Sequence, residues 1–294
     1  MSLNVPKNEI LQEEVKLQFH WYMLVFFIVF LGSFLIPSIF FILYIRYFFE
    51  PYFLETKDFS SLFTELYPLI ALITIPLVII GVYLIHLFFV ALITRWFWRI
   101  TERRSPSKDG IIPRNIRSKT LNYYGIRSFM IKYPKNAFIK GPFPWLINWL
   151  YNFVGTNKIE KGTTIEEQFG ADRNIHIGKN SYIGVNSGFS SHSVSGIFGN
   201  ISNFKIKLGD NITTGGLNCL APGVEIGDNS YLLPMAGATK HNILKGNNYY
   251  FGAPLRKIFK KKIMEYLKIS EFDLERDKEL RLKHQKIKEE LIKI

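Results

Sequence analysis

Three shortages frame this sequence. It holds one cysteine, Cys219, in 294 residues, so no disulfide can close within the chain. Cys219 follows Asn218 with no histidine or acid in its repeat, which reads as a small filling residue rather than a nucleophile. Acids are also short: 24 Asp and Glu face 37 Lys and Arg, a formal net charge of +13. That surplus suits an anionic partner, either nucleic acid or a lipid surface. Finally, two long stretches, Leu17–Ile45 and Leu66–Thr94, contain no Asp, Glu, Lys or Arg. About 20 apolar residues cross the hydrocarbon of a bilayer. Each stretch exceeds that, so both read as spans with length left over for tilt. The spans make lipid the expected anionic partner and leave nucleic acid out.

Residues 1–16 are polar, without the basic start and small-residue cleavage site of a signal peptide. Over 17–99 the chain reads as a transmembrane helical hairpin. Trp21, Tyr22, Tyr44 and Tyr47 sit near the ends of the first run, and Tyr67, Trp96 and Trp98 flank the second, as interface anchors do. Pro37 and Pro76 fall inside the runs, where a kink is expected. His20 lies at an end, in solvent. His86 lies inside and reads as a hydrogen bond between the helices. The connecting loop is mildly acidic, whereas Arg95, Arg99, Arg103, Arg104 and Lys108 follow the second span. Basic flanks stay cytoplasmic, so both termini are expected inside a cell membrane crossed twice. Residues 100–152 mix basic and aromatic side chains, and Pro144–Asn152 reads as a helical segment lying in the membrane interface.

From Phe153 to Leu255 an apolar or small residue returns at nearly every sixth position. These are Phe153, Ile159, Ile165, Ala171, Ile177, Ile183 and Phe189, then Leu208, Thr214, Leu220, Ile226, Leu232, Ala238, Leu244 and Tyr250. The count slips over an irregular segment, Ser195–Lys207. A period of six matches neither helix nor plain strand. It matches a β-solenoid, in which a short strand and a turn make one repeat. Three repeats per coil would give about five coils of roughly 18 residues. Gly and Asn at the corners, such as Asn180, Asn211 and Asn229, supply the left-handed conformations that tight turns require. Residues 258–294 form a charged, helix-forming tail. Ser270-Glu271-Phe272-Asp273 resembles a capping start, and Leu280, His284, Ile287, Leu291 and Ile294 form a short heptad seam. The expectation is a single helix packing on the coil or on a neighbour.

The lines IGKNSYIGVNSGFSSHS and LGDNITTGGLNCLAPGVEIGDNSYLLPMAGATK, followed by GAPLRKI, resemble the hexapeptide-repeat acyltransferases, in particular their O-acetyltransferase branch. The resemblance covers the middle third of the chain. It implies a left-handed parallel β-helix over 153–257, a homotrimer with sites between subunits, and acetyl-CoA or another acyl-CoA as co-substrate. His192 stands at a repeat corner just before the irregular segment. In that family a histidine at the matching place is the general base that takes the proton of an acceptor hydroxyl. Imidazole suits the task because it titrates near neutrality. Eighteen residues earlier Asn174 holds the same corner, where its amide could fix the imidazole tautomer; Asp172 and Glu167 are the carboxylate alternatives. Gly215, in the corner Thr214-Gly215-Gly216, offers a backbone N–H for an oxyanion. Lys240, Arg256 and Lys257 match basic positions lining the family's cofactor groove. His241 stands where that family usually has an acid or a small residue, and turn chemistry or a phosphate contact is all that would account for it. The zinc-binding members of the family need paired histidines; His176, His192 and His241 are scattered, so no metal is expected.

The two spans followed by an interfacial segment and repeats also resemble one unit of the terminal membrane module of poly-amino-acid nonribosomal peptide synthetases. The combined reading is a membrane-bound acyltransferase acting on a hydroxyl or amine of a membrane-associated acceptor. Its rivals are a noncatalytic membrane-tethered scaffold and an amide-forming transferase that uses carrier-bound aminoacyl thioesters.

Overall fold

A computed structural model describes residues 17–55, 58, 60–166 and 173–292, apart from a few helix side chains. The uncharged runs are helical, as expected. Helix α1 is Phe19–Tyr44, continued by π-helical turns over Ile45–Leu54, and helix α2 is Leu66–Arg104. Both are long and apolar enough to cross a membrane. They pack side by side and run on through Pro37 and Pro76. His86 of α2 is buried and lies 3.1 Å, through Nδ1, from the carbonyl of Ser33 on α1. It is the interhelical hydrogen bond expected of it. His20 is exposed.

Residues 105–155 depart from the sequence reading. A strand, Gly110–Pro113, is followed by α3 (Lys119–Met130), α4 (Lys132–Ile139) and α5 (Ile147–Val154). Ser118 caps α3 by accepting from Leu121 N at 3.0 Å. Helix α3 fits closely against α1, where a Cβ at Gly125 would lie 2.2 Å from the Tyr22 ring. The segment expected to lie in the interface is α5. Its apolar stripe, Ile147, Leu150, Tyr151 and Val154, is instead buried in the same core as Ile159 and Ile177. The Asn152 amide exchanges two bonds with Ile159, at 2.8 and 2.9 Å, and Asn148 Nδ2 donates to Thr163 O at 2.8 Å. Thus α5 closes the open end of the coil and satisfies backbone groups that a first coil would leave bare.

The six-residue period becomes three parallel sheets. The first face stacks strands at 158–159, 175–177, 206–208, 225–226 and 243–244. The second stacks 164–165, 182–183, 213–214, 231–232 and 249–251. The third stacks 188–189, 219–220 and 237–238. Partners across successive coils are 18 residues apart except where the count slips. Every sixth position from Ile177 to Phe189 and from Leu208 to Tyr250 is buried. Thr214 is tolerated inside because its hydroxyl accepts from Gly184 N at 2.9 Å. Phe153 belongs to α5, so the coil starts at Ile159; Ala171 lies outside the described residues.

The irregular segment is a β-hairpin. His192–Ser195 pairs antiparallel with Asn200–Asn203, and Gly110–Pro113 adds a third strand from before the coil. At the far end Arg256–Ile258 folds back antiparallel on Tyr249–Phe251. Helices α6 (Lys260–Leu267) and α7 (Glu271–Ile292) follow. The capping start is realised: Asp273 N donates to Ser270 Oγ and Ser270 N to Asp273 Oδ2, both at 3.1 Å. Among the described side chains of that helix, none of its large apolar ones is buried on the coil. Phe272, Leu280 and Leu282 are exposed, and the side chains of Ile287, Leu291 and Ile294 lie outside those described.

Candidate active site at a coil corner

Stacking places Asn174, Lys205, Gly223 and His241 in one row along the edge between the third and first faces, each just before or within one residue of a first-face strand. Asn174 and His241 have φ of +60° and +57°. His192 belongs to this row: Ser191 Oγ donates to Arg173 O at 2.8 Å, one coil below. Where other coils turn the corner, this one leaves as the hairpin and returns at Lys205. His192 therefore sits at the hairpin's base, opposite Asn203. Its side chain is half-buried, with its ring edge-on to Tyr124 of α3 at 5.9 Å.

Tyr124 is itself held by Arg173. The guanidinium lies 4.4 Å from the ring centroid and donates through Nη1 to the Tyr124 carbonyl at 3.3 Å. Arg173 is buried, as is Arg127 one turn further along α3. Arg127 Nη1 lies 3.2 Å from Glu102 at the end of α2 and donates to Ser105 O at 2.7 Å. Burial lowers the Arg127 pKa, Glu102 opposes that shift, and Arg173 adds to it. Asn174 Nδ2 points to Asp109 Oδ1 at 3.4 Å, and Asp109 also accepts from Lys205 N at 3.0 Å. Between these groups lies a polar cleft of about 170 Å³, lined by Trp98, Glu102, Ser107, Thr156, Arg173, Asn174 and Asn203 among others.

The residues singled out in the sequence fall into two groups. His192, Asn174 and Lys240 share this corner. Lys240 Nζ donates to Ser202 Oγ at 3.0 Å, and Ser202 faces Ser193 across the hairpin. Gly215 lies on a different edge, between the second and third faces. Its N–H donates to Leu232 O at 2.9 Å, and Gly216 N–H to Asn218 Oδ1 at 3.0 Å. Both N–H groups of that corner are therefore already engaged within the chain. Arg256 and Lys257 are exposed on the fold-back strand of the second face, at the far end of the stack. Asp172 and Glu167 lie outside the described residues. His241 has a structural partner: its ring stands edge-on to Phe204 at 4.4 Å. Cys219 is exposed on its strand rather than filling the interior.

Tyr124, Arg173, Asp109 and the Arg127–Glu102 pair escaped the sequence reading. They belong to segments far apart in the chain, and single charges in a basic stretch carry no signal of burial. The one clue was position: Arg173 directly precedes the corner Asn174.

No protein-family model and no curated protein matches the sequence. Among solved structures, the chain is similar to a hexapeptide-repeat containing acetyltransferase from Vibrio cholerae. The identity is 23%, the TM-score 0.33, and the match covers 36% of this chain and 64% of that one. It is similar to AntD, an N-acyltransferase from Bacillus cereus solved with dTDP and 3-hydroxybutyryl-CoA: 17% identity, TM-score 0.27, 39% of this chain and 79% of that one. It is also similar to serine acetyltransferase from Neisseria gonorrhoeae: 12% identity, TM-score 0.31, 58% of this chain and 55% of that one. The chain thus spans less than two thirds of the Vibrio and Neisseria proteins. These structural neighbours are acyltransferases, the Vibrio protein a hexapeptide-repeat one, and they cover this chain in part.

Proposed function

We propose that this chain is a membrane-tethered acyltransferase whose coil winds left-handed on the cytoplasmic side, with both termini inside. It moves an acyl group, most simply acetyl, from a coenzyme A thioester to a hydroxyl or amine of a membrane-associated acceptor. The observation that carries this reading is a half-buried imidazole at the base of a hairpin leaving the coil, with a lysine tied to the same hairpin. His192 takes the acceptor proton as the acceptor oxygen or nitrogen bonds to the thioester carbonyl carbon. The tetrahedral intermediate then expels the sulfur, and the imidazolium returns its proton to the leaving thiolate. The products are an ester or amide and free coenzyme A. Lys240 supplies a cation for the phosphates of the donor. Arg256 and Lys257 lie on another face, so they would serve a site only from a neighbouring copy, which favours a homotrimer with sites between subunits. The engaged N–H of Gly215 is given no oxyanion role.

The test is thioester turnover by the purified full chain. His192→Ala is expected to lower kcat/KM by about 10²–10⁴-fold with the unfolding temperature unchanged. Full turnover by that variant would remove the catalytic assignment. A reporter fused at residue 110 and found outside the cell would remove the cytoplasmic placement.

A further inference from the structure

A second cavity lies in the helical hairpin, away from the coil corner. It is a groove of about 630 Å³ between α1 and α2, closed at one side by α4. Phe34, Phe41 and Ile42 of α1 and Ile79 and Val82 of α2 form apolar walls, with Ser38 beside them. Its polar part is a satisfied pair: His86 Nε2 lies 2.8 Å from the Tyr133 hydroxyl of α4. In the neutral ring Nδ1 carries the proton, because its partner is the Ser33 carbonyl, and Nε2 accepts from Tyr133. Burial pushes the Tyr133 phenol up to about 12, so it remains a donor at neutral pH. The groove thus presents apolar walls and an uncharged polar floor.

Its setting identifies the occupant. Both helices lack charged residues over these stretches, so the groove opens where a bilayer offers only hydrocarbon. Lys132 and Lys135 lie on α4, the helix that supplies Tyr133 and Ala137 to the groove, and Lys140 directly follows its last residue. Lysines at that level suit an anionic headgroup above a buried chain. Helix α4 also locks onto the hairpin, since Tyr83 Oη donates to Ala137 O at 3.0 Å. We infer that this groove holds one hydrocarbon chain of an anionic membrane lipid, with its headgroup beside the α4 lysines. The inference rests on reading the two helices as membrane spans and names the class of acceptor that the coil would meet.

The test uses the full chain in phosphatidylcholine–phosphatidylglycerol vesicles whose phosphatidylglycerol carries a diazirine on one acyl chain. After photolysis, labelled positions are mapped by mass spectrometry. Labels are expected to concentrate severalfold on Phe41, Ile42, Ile79 and Val82 over Ile36, Leu43, Leu77 and Leu84, exposed residues around the rest of the two helices. Ser38→Trp and, independently, Val82→Phe should abolish the groove labels and spare the reference positions, while Ile36→Trp changes neither. Even labelling around both helices, or groove labels that survive both filling variants, would overturn the inference. The readout needs no turnover, so a failure of acyl transfer leaves it intact. Absence of label on either face would instead overturn the membrane reading on which it rests.

Discussion

Asn229 shows what a corner residue does in a stacked coil. Its φ is +55°, a conformation that costs a residue with a Cβ about 1–2 kcal/mol unless local bonds offset it. Its amide supplies them by stacking: Asn211 Nδ2 donates to Asn229 Oδ1 at 2.8 Å, and Asn229 Nδ2 to Asn247 Oδ1 at 3.1 Å. Asn229→Ala is therefore expected to lower stability by about 1–2 kcal/mol. Asn229→Gly keeps the backbone relaxed and should lose less. Equal losses in denaturant titrations of the two variants would count against the left-handed conformation as the cause. Such corners were legible because Asn and Gly recur with the period. The buried arginines were not, because Arg127 has neighbours that read as surface. Arg127→Met leaves Glu102 without its closest cation and Ser105 O without its donor. Breaking a buried pair from one side costs about 3–5 kcal/mol. Glu102 is partly exposed, so the lower figure is expected from urea unfolding, and recovery in the double variant Arg127→Met/Glu102→Gln would attribute it to the orphaned charge.

Among the elements, the coil strands were the most legible and the hairpin the least. The sixth positions are apolar or small because they point into the same interior, and the structure buries those from Ile177 to Phe189 and from Leu208 to Tyr250. In the hairpin, HSVS and NISN show no such pattern. Its strands are fixed by antiparallel pairing to each other and to Gly110–Pro113, a partner some ninety positions earlier in the chain. Nothing local announces that register. The placement of helix α5 is hidden in the sequence for a related reason. An amphipathic stripe shows that a face is covered but not by what, and here protein rather than lipid covers it. The fit of α3 on α1 can be tested at one position. A Cβ at Gly125 would meet two ring carbons of Tyr22, Cζ and Cε1, and its hydroxyl oxygen at 2.2–2.7 Å. A buried ring cannot yield that far, so Gly125→Ala should destabilise the helical part by about 1–3 kcal/mol. Adding Tyr22→Leu should restore part of the loss; no coupling in that cycle would place the strain elsewhere.

At the scale of the molecule, the helical hairpin and the coil are joined by packing and not by a linker. Arg95, at the end of the uncharged run in α2, has its guanidinium 4.3 Å from the Phe153 ring centroid. It donates to the Phe153 carbonyl at 2.6 Å. Phe153 belongs to α5, and α5 covers the first coil. The repeat count, which begins at Phe153 in the sequence, therefore marks the wrong place to cut. A chain starting at residue 155 loses Ile147, Leu150, Tyr151 and Val154, all buried. At about 1.5–3 kcal/mol for each large apolar side chain, that loss is comparable with the whole stability of a domain, about 5–15 kcal/mol. It also strands the groups that Asn148 and Asn152 satisfy on the first coil. A chain starting at residue 143 keeps α5 and should unfold cooperatively, whereas one starting at 155 should show no such transition by calorimetry. Equal melting of the two would mean that α5 is an ornament on the coil rather than its cap. If the cap argument holds, the longer piece is the one with which to ask whether a water-soluble acceptor can replace a membrane-associated one, because any activity lost from the shorter piece would report unfolding rather than the missing bilayer.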